Sequence, residues 1–262
     1  MGSGRAVIDL AGRTALVTGA GNGLGRSMVD HLHRSGVRVI LVGRDRSRLD
    51  GTVQTLGLTP SSSRVATCDV SDARAVAGLA HEVSDEQVSI LVNNAGVPGP
   101  VADLTDVAVD DWDDVFATNV RGVYLMCRAF LPSMKEVGSG DIVNLASVSG
   151  KRPLAGRTPY CASKMAVLGL TSTLAFEVGP FGIRVNTLSP GPVDGPRMTR
   201  NIRLDSERSG VTAEDAHATL VSRAALGRML REDEVGEALI AMLRMPALTA
   251  ADIDLSAGMA AR

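Results

Sequence analysis

Aromatic residues are scarce: one tryptophan, two tyrosines and four phenylalanines in 262 residues. So few rings argue against a pocket built to stack large flat ligands. Cysteine is scarcer still. Cys68, Cys127 and Cys161 are odd in number and far apart, which excludes a disulfide framework and reads as reduced thiols in a cytoplasmic protein. Cys161, beside Tyr160, is either a reactive thiol or a small packing residue. His31, His33, His81 and His217 form no cluster with Cys or Asp at zinc spacing, so no metal site is expected. The longest apolar runs, such as "RVILVG", have the length of a strand and cannot span a bilayer. The N-terminal "MGSGRAVIDLAGR" has no apolar core of the kind a secretory signal needs. Charge of neither sign dominates. A net −2 gives no global attraction to nucleic acid or to an anionic membrane.

What is present is an alternation. "RTALVTG", "VRVILVG", "SRVATCDV", "VSILVNNAG", "GDIVNLAS", "GIRVNTLSPG" and "DIDLSAG" are short apolar runs bounded by turn residues, and read as seven strands. Helical spacing fills the gaps: Leu24 to Leu32 with a stop at Gly36, then roughly 47–56, 73–84 and 110–137. Apolar strands alternating with helices imply an α/β, Rossmann-type doubly wound parallel sheet covered on both faces. No linker or repeat divides the chain, so residues 1–262 are expected to form one domain. One stretch breaks the rhythm. Residues 194–227 are polar and rich in Arg, with a helical pattern in "TAEDAHATLVSRAAL" that Thr212 would cap, Glu214 and Asp215 standing in its first turn. An insertion after a strand's carboxyl end lies over the ligand crevice of such a sheet, so this segment is expected to be a substrate loop or lid.

Two patterns carry chemistry. In "LVTGAGNGLGRS", Gly19, Gly23 and Gly25 stand between the first strand and the first helix. Glycines there let backbone approach a pyrophosphate, and the helix start presents free N–H groups to it. In "TPYCASKMAV", Tyr160 and Lys164 lie four apart and so share one helical face. A phenol with a pKa of about 10 is a poor acid or base at neutral pH, but an adjacent ammonium favours the phenolate. Lowering that pKa to about 7 takes roughly 4 kcal/mol, which a lysine, a further positive charge from a bound cofactor and a dry site can supply together.

The glycine motif, "NNAG" at 93–96, Ser147, the Tyr160/Lys164 pair and "SPGPV" at 189–193 follow one another in an order and spacing that resembles the short-chain dehydrogenase/reductase family. The match is to the family's compact form and is similar to its 3-oxoacyl-carrier-protein reductase-like members. The resemblance implies a catalytic set of Asn119, Ser147, Tyr160 and Lys164. Tyr160 would exchange the proton, Ser147 hold the substrate oxygen, and Asn119 bend its helix and hold a water that relays protons to Lys164. Ser149 is the neighbour that could be mistaken for Ser147. The resemblance also implies cofactor contacts. These come from Gly19, Asn22, Gly23, Leu24 and Gly25, from Arg44, Asp69 and Val70, from Asn93, Ala95 and Gly96, from Tyr160 and Lys164, and from Pro190, Gly191 and Val193.

At Gly43 the family's NAD-selecting carboxylate is missing and Arg44 follows, which favours NADP(H). Asn22, where a second basic residue is common, and the nearby Asp45 leave NAD(H) open. Asp69 reads either as an adenine contact or as a helix N-cap. Gly195 stands where the family often has Thr.

The implied activity is hydride transfer between a nicotinamide and a carbonyl or secondary alcohol of a small molecule, most readily as an NADPH-dependent ketoreductase. The alternatives are an NAD-dependent secondary-alcohol or cyclic-diol dehydrogenase, a cofactor-free lyase of the halohydrin dehalogenase kind, which the intact glycine motif disfavours, and a non-catalytic NADP-sensing scaffold. The pocket is expected from Val97 to Pro100, Val148, Leu154 and the lid, with Arg152 and Arg157 either greeting an anion or simply solvated. The helix beginning "YCASKMAVLGL" is apolar on more than one face, and the resemblance implies a homodimer or homotetramer formed through it and the fourth helix, at 110–137.

Overall fold

Neighbouring residues of each central strand are buried in opposite layers. In the computed structural model, which describes residues 7–152 and 154–259, Leu16 of β1 (Thr14–Thr18), Ile40 and Val42 of β2 (Arg38–Gly43) and Leu91 of β4 (Val88–Asn93) enter one core. Val17, Val39, Leu41, Ile90 and Val92 enter the other. Both faces are dry, which is why these strands read as unbroken apolar runs rather than alternating ones.

The elements between and after them are α1 (Gly23–Arg34), α2 (Arg46–Leu56), β3 (Ser63–Thr67), α3 (Ala73–Glu82), α4 (Val109–Phe116), α5 (Gly122–Val137), β5 (Gly140–Leu145) and α6 (Thr158–Val178). There follow β6 (Ile183–Pro190), α7 (Pro196–Ser209), α8 (Ala213–Val221), α9 (Glu232–Leu243) and β7 (Asp252–Leu255). All strand pairs are parallel and the order is β3-β2-β1-β4-β5-β6-β7. Residues of α1 and α9 pack in one layer, and those of α3, α5 and α6 in the other. The order reverses between β1 and β4, and at such a switch point the carboxyl ends of the strands leave a crevice.

The seven expected strands are present. The expected helix 110–137 is not uniform. It is interrupted by a π turn at Ala117–Arg121, where Gly122 N donates to Ala117 O, and this local irregularity lies at Asn119, where a bend was expected. In the 194–227 segment the Thr212 cap is as expected, its hydroxyl accepting from Asp215 N at 3.1 Å. Helix α7 was not legible, because it is mostly polar and charged, buries only Ser206 and carries Met198 and Ile202 toward the cavity rather than into the core. One segment, 158–181, is long and apolar enough to cross a membrane by composition. It is the helix α6 and the turn after it, packed on the sheet with Lys164 buried within it.

Candidate active site

The crevice holds a cavity of about 560 Å³. One end is built from the β1–α1 turn. Gly19 has φ 68°, in the left-handed region. Asn22 precedes α1 in an extended conformation, φ −166°, and makes no side-chain cap. The first-turn amides of Gly23, Leu24 and Gly25 therefore lack intrahelical acceptors, and all three residues line the cavity. A Cβ on Gly25 would stand 2.0 Å from the Gly19 carbonyl oxygen, so the loop closes on itself only without a side chain there. This positive helix end with bare backbone around it fits a dinucleotide pyrophosphate.

At the neighbouring edge β2 ends in Gly43 and Arg44. The Arg44 guanidinium is exposed and lies 3.7 Å from Asp69 Oδ2. Asp45 is engaged as the N-cap of α2, accepting from Ser47 N at 3.0 Å and Arg48 N at 3.3 Å. Asp69 is not the cap of α3. Asp72 is, accepting from Arg74 N at 2.8 Å. Asp69 instead accepts from the Ser71 amide and hydroxyl, at 2.9 and 2.7 Å. Val70 is buried against Gly122 at the start of α5.

In the β4 turn the structure corrects one expectation. The Asn93 side chain donates to Asn144 Oδ1 at 2.8 Å and contacts Cys127, on the α5 and α6 side of the sheet. It does not line the cavity, whereas Asn94 does, with Ala95 and Gly96. Asn94 Nδ2 donates to the carbonyls of Thr18 (2.8 Å) and Gly19 (3.2 Å), and the Thr18 hydroxyl accepts from the amides of Asn94 and Ala95 at 3.0 Å each. These bonds tie the two turns across the switch point. The doublet of asparagines was visible in the sequence. The strand pleat, which decides the one that turns inward, was not.

The four candidate catalytic residues converge at the other end. Ser147, 8% exposed, follows β5. Its hydroxyl accepts from Ser149 N at 3.2 Å and donates to Pro190 O at 3.4 Å, and it acts on the Tyr160 phenol, which separates its role from that of Ser149. Lys164 Nζ is buried, donates to Leu145 O at 2.6 Å and lies 5.8 Å from the Tyr160 ring centroid. Asn119 sits behind Gly96 rather than on the cavity wall. Its Oδ1 accepts from Val97 N at 2.8 Å, and its Nδ2 donates to Val97 O and to Ser163 Oγ, both at 3.0 Å. A Cβ on Gly96 would come within 3.1 Å of Asn119 Oδ1 and 3.6 Å of Lys164 Nζ.

Burial pushes the Tyr160 phenol up, but Lys164, Arg197, the Ser147 hydroxyl and Arg157 together outweigh it and hold the group below its ordinary value. Burial pulls the Lys164 ammonium down; Tyr160 opposes this and Arg197 adds to it. Burial raises the thiols of Cys68 (to about 11), Cys127 (to about 12) and Cys161, so none is an activated nucleophile.

Pro190, Gly191 and Val193 line the cavity beyond β6. Gly191 N donates to Leu255 O at 2.7 Å, and Val193 pairs with Leu230, which pins this segment to the body. Gly195 has φ 149° and ψ 177°, a conformation open essentially only to glycine, so a Thr side chain is excluded where α7 begins. Met198 and Ile202 of α7 and Leu220 of α8 complete the wall, with Val148 and Leu154 opposite. Of the 97–100 stretch expected here none lines the cavity, but Val101 does: Val97 is held by Asn119, and Pro98 O by Arg157. Arg197 and Arg223 also line the cavity, and neither was singled out from the sequence.

Residues 13–207 match the model of the short chain dehydrogenase family. A D-threitol dehydrogenase of Mycolicibacterium smegmatis is 38% identical over 72% of this chain and 76% of its own length. A Streptomyces coelicolor protein named as a ketoacyl reductase is 35% identical over 94% of this chain and 96% of its own. Among solved structures, an actinorhodin polyketide ketoreductase variant with NADPH superposes with a TM-score of 0.90 at 32% identity, covering 98% of this chain and 100% of that one. An NAD+-bound xylitol dehydrogenase gives 0.88 at 27% identity, covering 95% and 99%. With a family match over most of its length, relatives above 30% identity and the doubly wound sheet on which its motifs fall, the chain belongs to the short-chain dehydrogenase/reductase family and is an NAD(P)-dependent oxidoreductase.

Proposed function

We propose that this enzyme is an NADPH-dependent ketoreductase that also runs the reverse oxidation of a secondary alcohol. The observation that carries the reading is the Tyr160 phenol, set with Ser147 and the buried Lys164 ammonium on one cavity wall and held below its ordinary pKa by the cations around it. The nicotinamide, when bound, supplies the hydride. Glycine-loop amides and Arg44 hold the cofactor's anionic groups, and Pro190, Gly191 and Val193 border its reactive end. The Ser147 hydroxyl holds the substrate carbonyl oxygen. Tyr160 gives its proton to that oxygen as negative charge develops there, and Lys164 stabilises the phenolate left behind. Asn119, whose amide is wholly committed to Val97 and Ser163, acts by positioning Gly96 and α6. The irregular backbone of its π turn is where the relay water would bind. Helices α7 and α8 form the substrate lid.

The preference for NADP(H) rests on three features of the β2 edge. No carboxylate stands at Gly43, the Arg44 guanidinium is exposed, and Asp45 is occupied as a cap. The Arg44–Asp69 contact favours the second reading, an NAD-dependent alcohol dehydrogenase, since it occupies part of the guanidinium and supports a carboxylate at the ribose. A fluorescence titration decides between them. Arg44→Ala is expected to weaken NADPH binding by about 10- to 100-fold, the worth of a charge-assisted contact, and NADH binding by less than about three-fold. Tighter binding of NADH than of NADPH by the parent enzyme would turn the assignment to NAD.

The outer faces of α5 and α6 expose Tyr124 (48%), Met165 (48%) and Phe176 (80%). Large apolar side chains exposed on two neighbouring helices mark a contact surface, and we assign it to a homodimer or homotetramer. Sedimentation velocity is expected to give a species of at least two chains, with Phe176→Asp shifting it toward monomer; a monomeric parent protein would remove the assignment.

A further inference from the structure

Two guanidinia of the cavity wall have no ligand in the reaction described above. Arg157, immediately before α6, is 6% exposed. Its Nη2 donates to Pro98 O at 3.1 Å, its Nε is buried without an acceptor, and no carboxylate pairs with it among the described residues. Its Cζ stands 5.5 Å from the Tyr160 ring centroid, and the Cζ of Arg197, arriving from α7, stands 5.6 Å from the same point. Arg197 is exposed, lines the cavity and forms no ion pair among the described residues. The lining acid that acts on Arg157, Asp205, is already paired with Arg208 at 3.5 Å. Arg152 also lines the cavity, but its guanidinium donates to the backbone oxygen of Met259 at 2.7 Å and, among the described residues, it is not one of the cations over the Tyr160 ring. A buried guanidinium with no counter-charge is costly to keep, and Arg157, joined by the exposed Arg197 against the ring of the reacting tyrosine, leaves a place for an anion beside the reacting carbon.

We propose that the substrate carries a carboxylate a few bonds from the carbonyl, and that Arg157 and Arg197 bind it. The proposal rests on the ketoreductase reading and narrows it to small oxo acids and their hydroxy-acid products. The planar fork of each guanidinium suits a carboxylate, and the bound carboxylate supplies the counter-charge that Arg157 lacks. The neutral polyols in the names of two relatives offer no such charge.

The test is a matched pair, 3-oxobutanoate and its methyl ester, assayed with NADPH in steady state, with dihydroxyacetone phosphate as a phosphate-bearing ketone. The parent enzyme is expected to favour the acid over the ester by roughly 100-fold in kcat/KM, the discrimination a charge-assisted pair provides. Arg157→Met and Arg197→Met are each expected to bring that ratio below about ten. NADPH affinity reports whether each variant is folded, and Arg197, being exposed, keeps the test open where the Arg157 variant fails to fold. A second readout needs no turnover: malonate is expected to raise the thermal midpoint of the parent protein and dimethyl malonate not to. An ester used as well as the acid, an acid-to-ester ratio unchanged in the variants, or a preference for the phosphate overturns the proposal. If no ketone or alcohol reacts at all, it is the ketoreductase reading that has failed. The carboxylate site then stands or falls on the malonate shift.

Discussion

Tyr160→Phe is expected to lower turnover by about a thousand-fold, within the range for loss of a general acid or base, while NADPH binding changes by less than about three-fold. Phenylalanine keeps the ring between Arg157, Arg197 and Lys164 and removes only the titrating oxygen. The pH profile gives the same group a second signature. Alcohol oxidation needs the phenolate, so its rate rises with pH through the Tyr160 pKa. Carbonyl reduction needs the phenol and falls over the same interval. The cations around the ring lower that pKa, so the rise is expected below the ordinary phenol value of about 10. Arg197→Met removes one of these cations and is expected to move the rise to higher pH. Full turnover in Tyr160→Phe would place the proton transfer on another group. Loss of NADPH binding would make the residue structural.

Gly25→Ala is expected to reduce nicotinamide-cofactor affinity by at least about 100-fold and to cost about 1–3 kcal/mol of stability, the usual range for overpacking. The added methyl would lie 2.0 Å from Gly19 O, 2.7 Å from Gly19 C and 2.9 Å from Ala20 Cα. Every one of these atoms is backbone, so no side chain can swing aside, and relief requires the turn that lines the cavity to move. Gly78→Ala in α3 is the control. Nothing lies within 4 Å of its Cβ, and the same chemical change is expected to stabilise the protein by roughly 0.5–1 kcal/mol. Urea unfolding and a binding titration on both variants separate a local effect from a general one. Wild-type affinity in Gly25→Ala would mean that the glycine turn is not the pyrophosphate cradle.

Much of this was legible in the sequence because it is local. A strand buried on both faces must be apolar at every position, so "TALVT" and "RVILVG" announce both their conformation and their layer. A glycine turn between a strand and a helix is a feature of a dozen residues, and Tyr160 and Lys164 share a face because a helix repeats every 3.6 residues. Ser147 was placed relative to them by its distance along the chain, and the structure brings the three together around one phenol. The cap at Thr212 was readable for the same reason, since a cap bonds residues two or three positions away.

What only the tertiary structure decided depends on residues far apart in sequence. Asn94 rather than Asn93 faces the cavity, because the pleat of β4 and the partner Asn144 on β5 claim the first of the pair. Asp69 is left facing Arg44 because Asp72 takes the cap of α3. Arg157 is buried beside Tyr160 without a counter-charge, and Arg197 reaches the same ring from a mostly polar helix forty residues further on. Burial and charge are properties of a place and not of a residue type. The chain's periodicity therefore determines the sheet, the cradle and the tyrosine–lysine pair, while the field around that tyrosine exists only once distant segments have closed over the crevice.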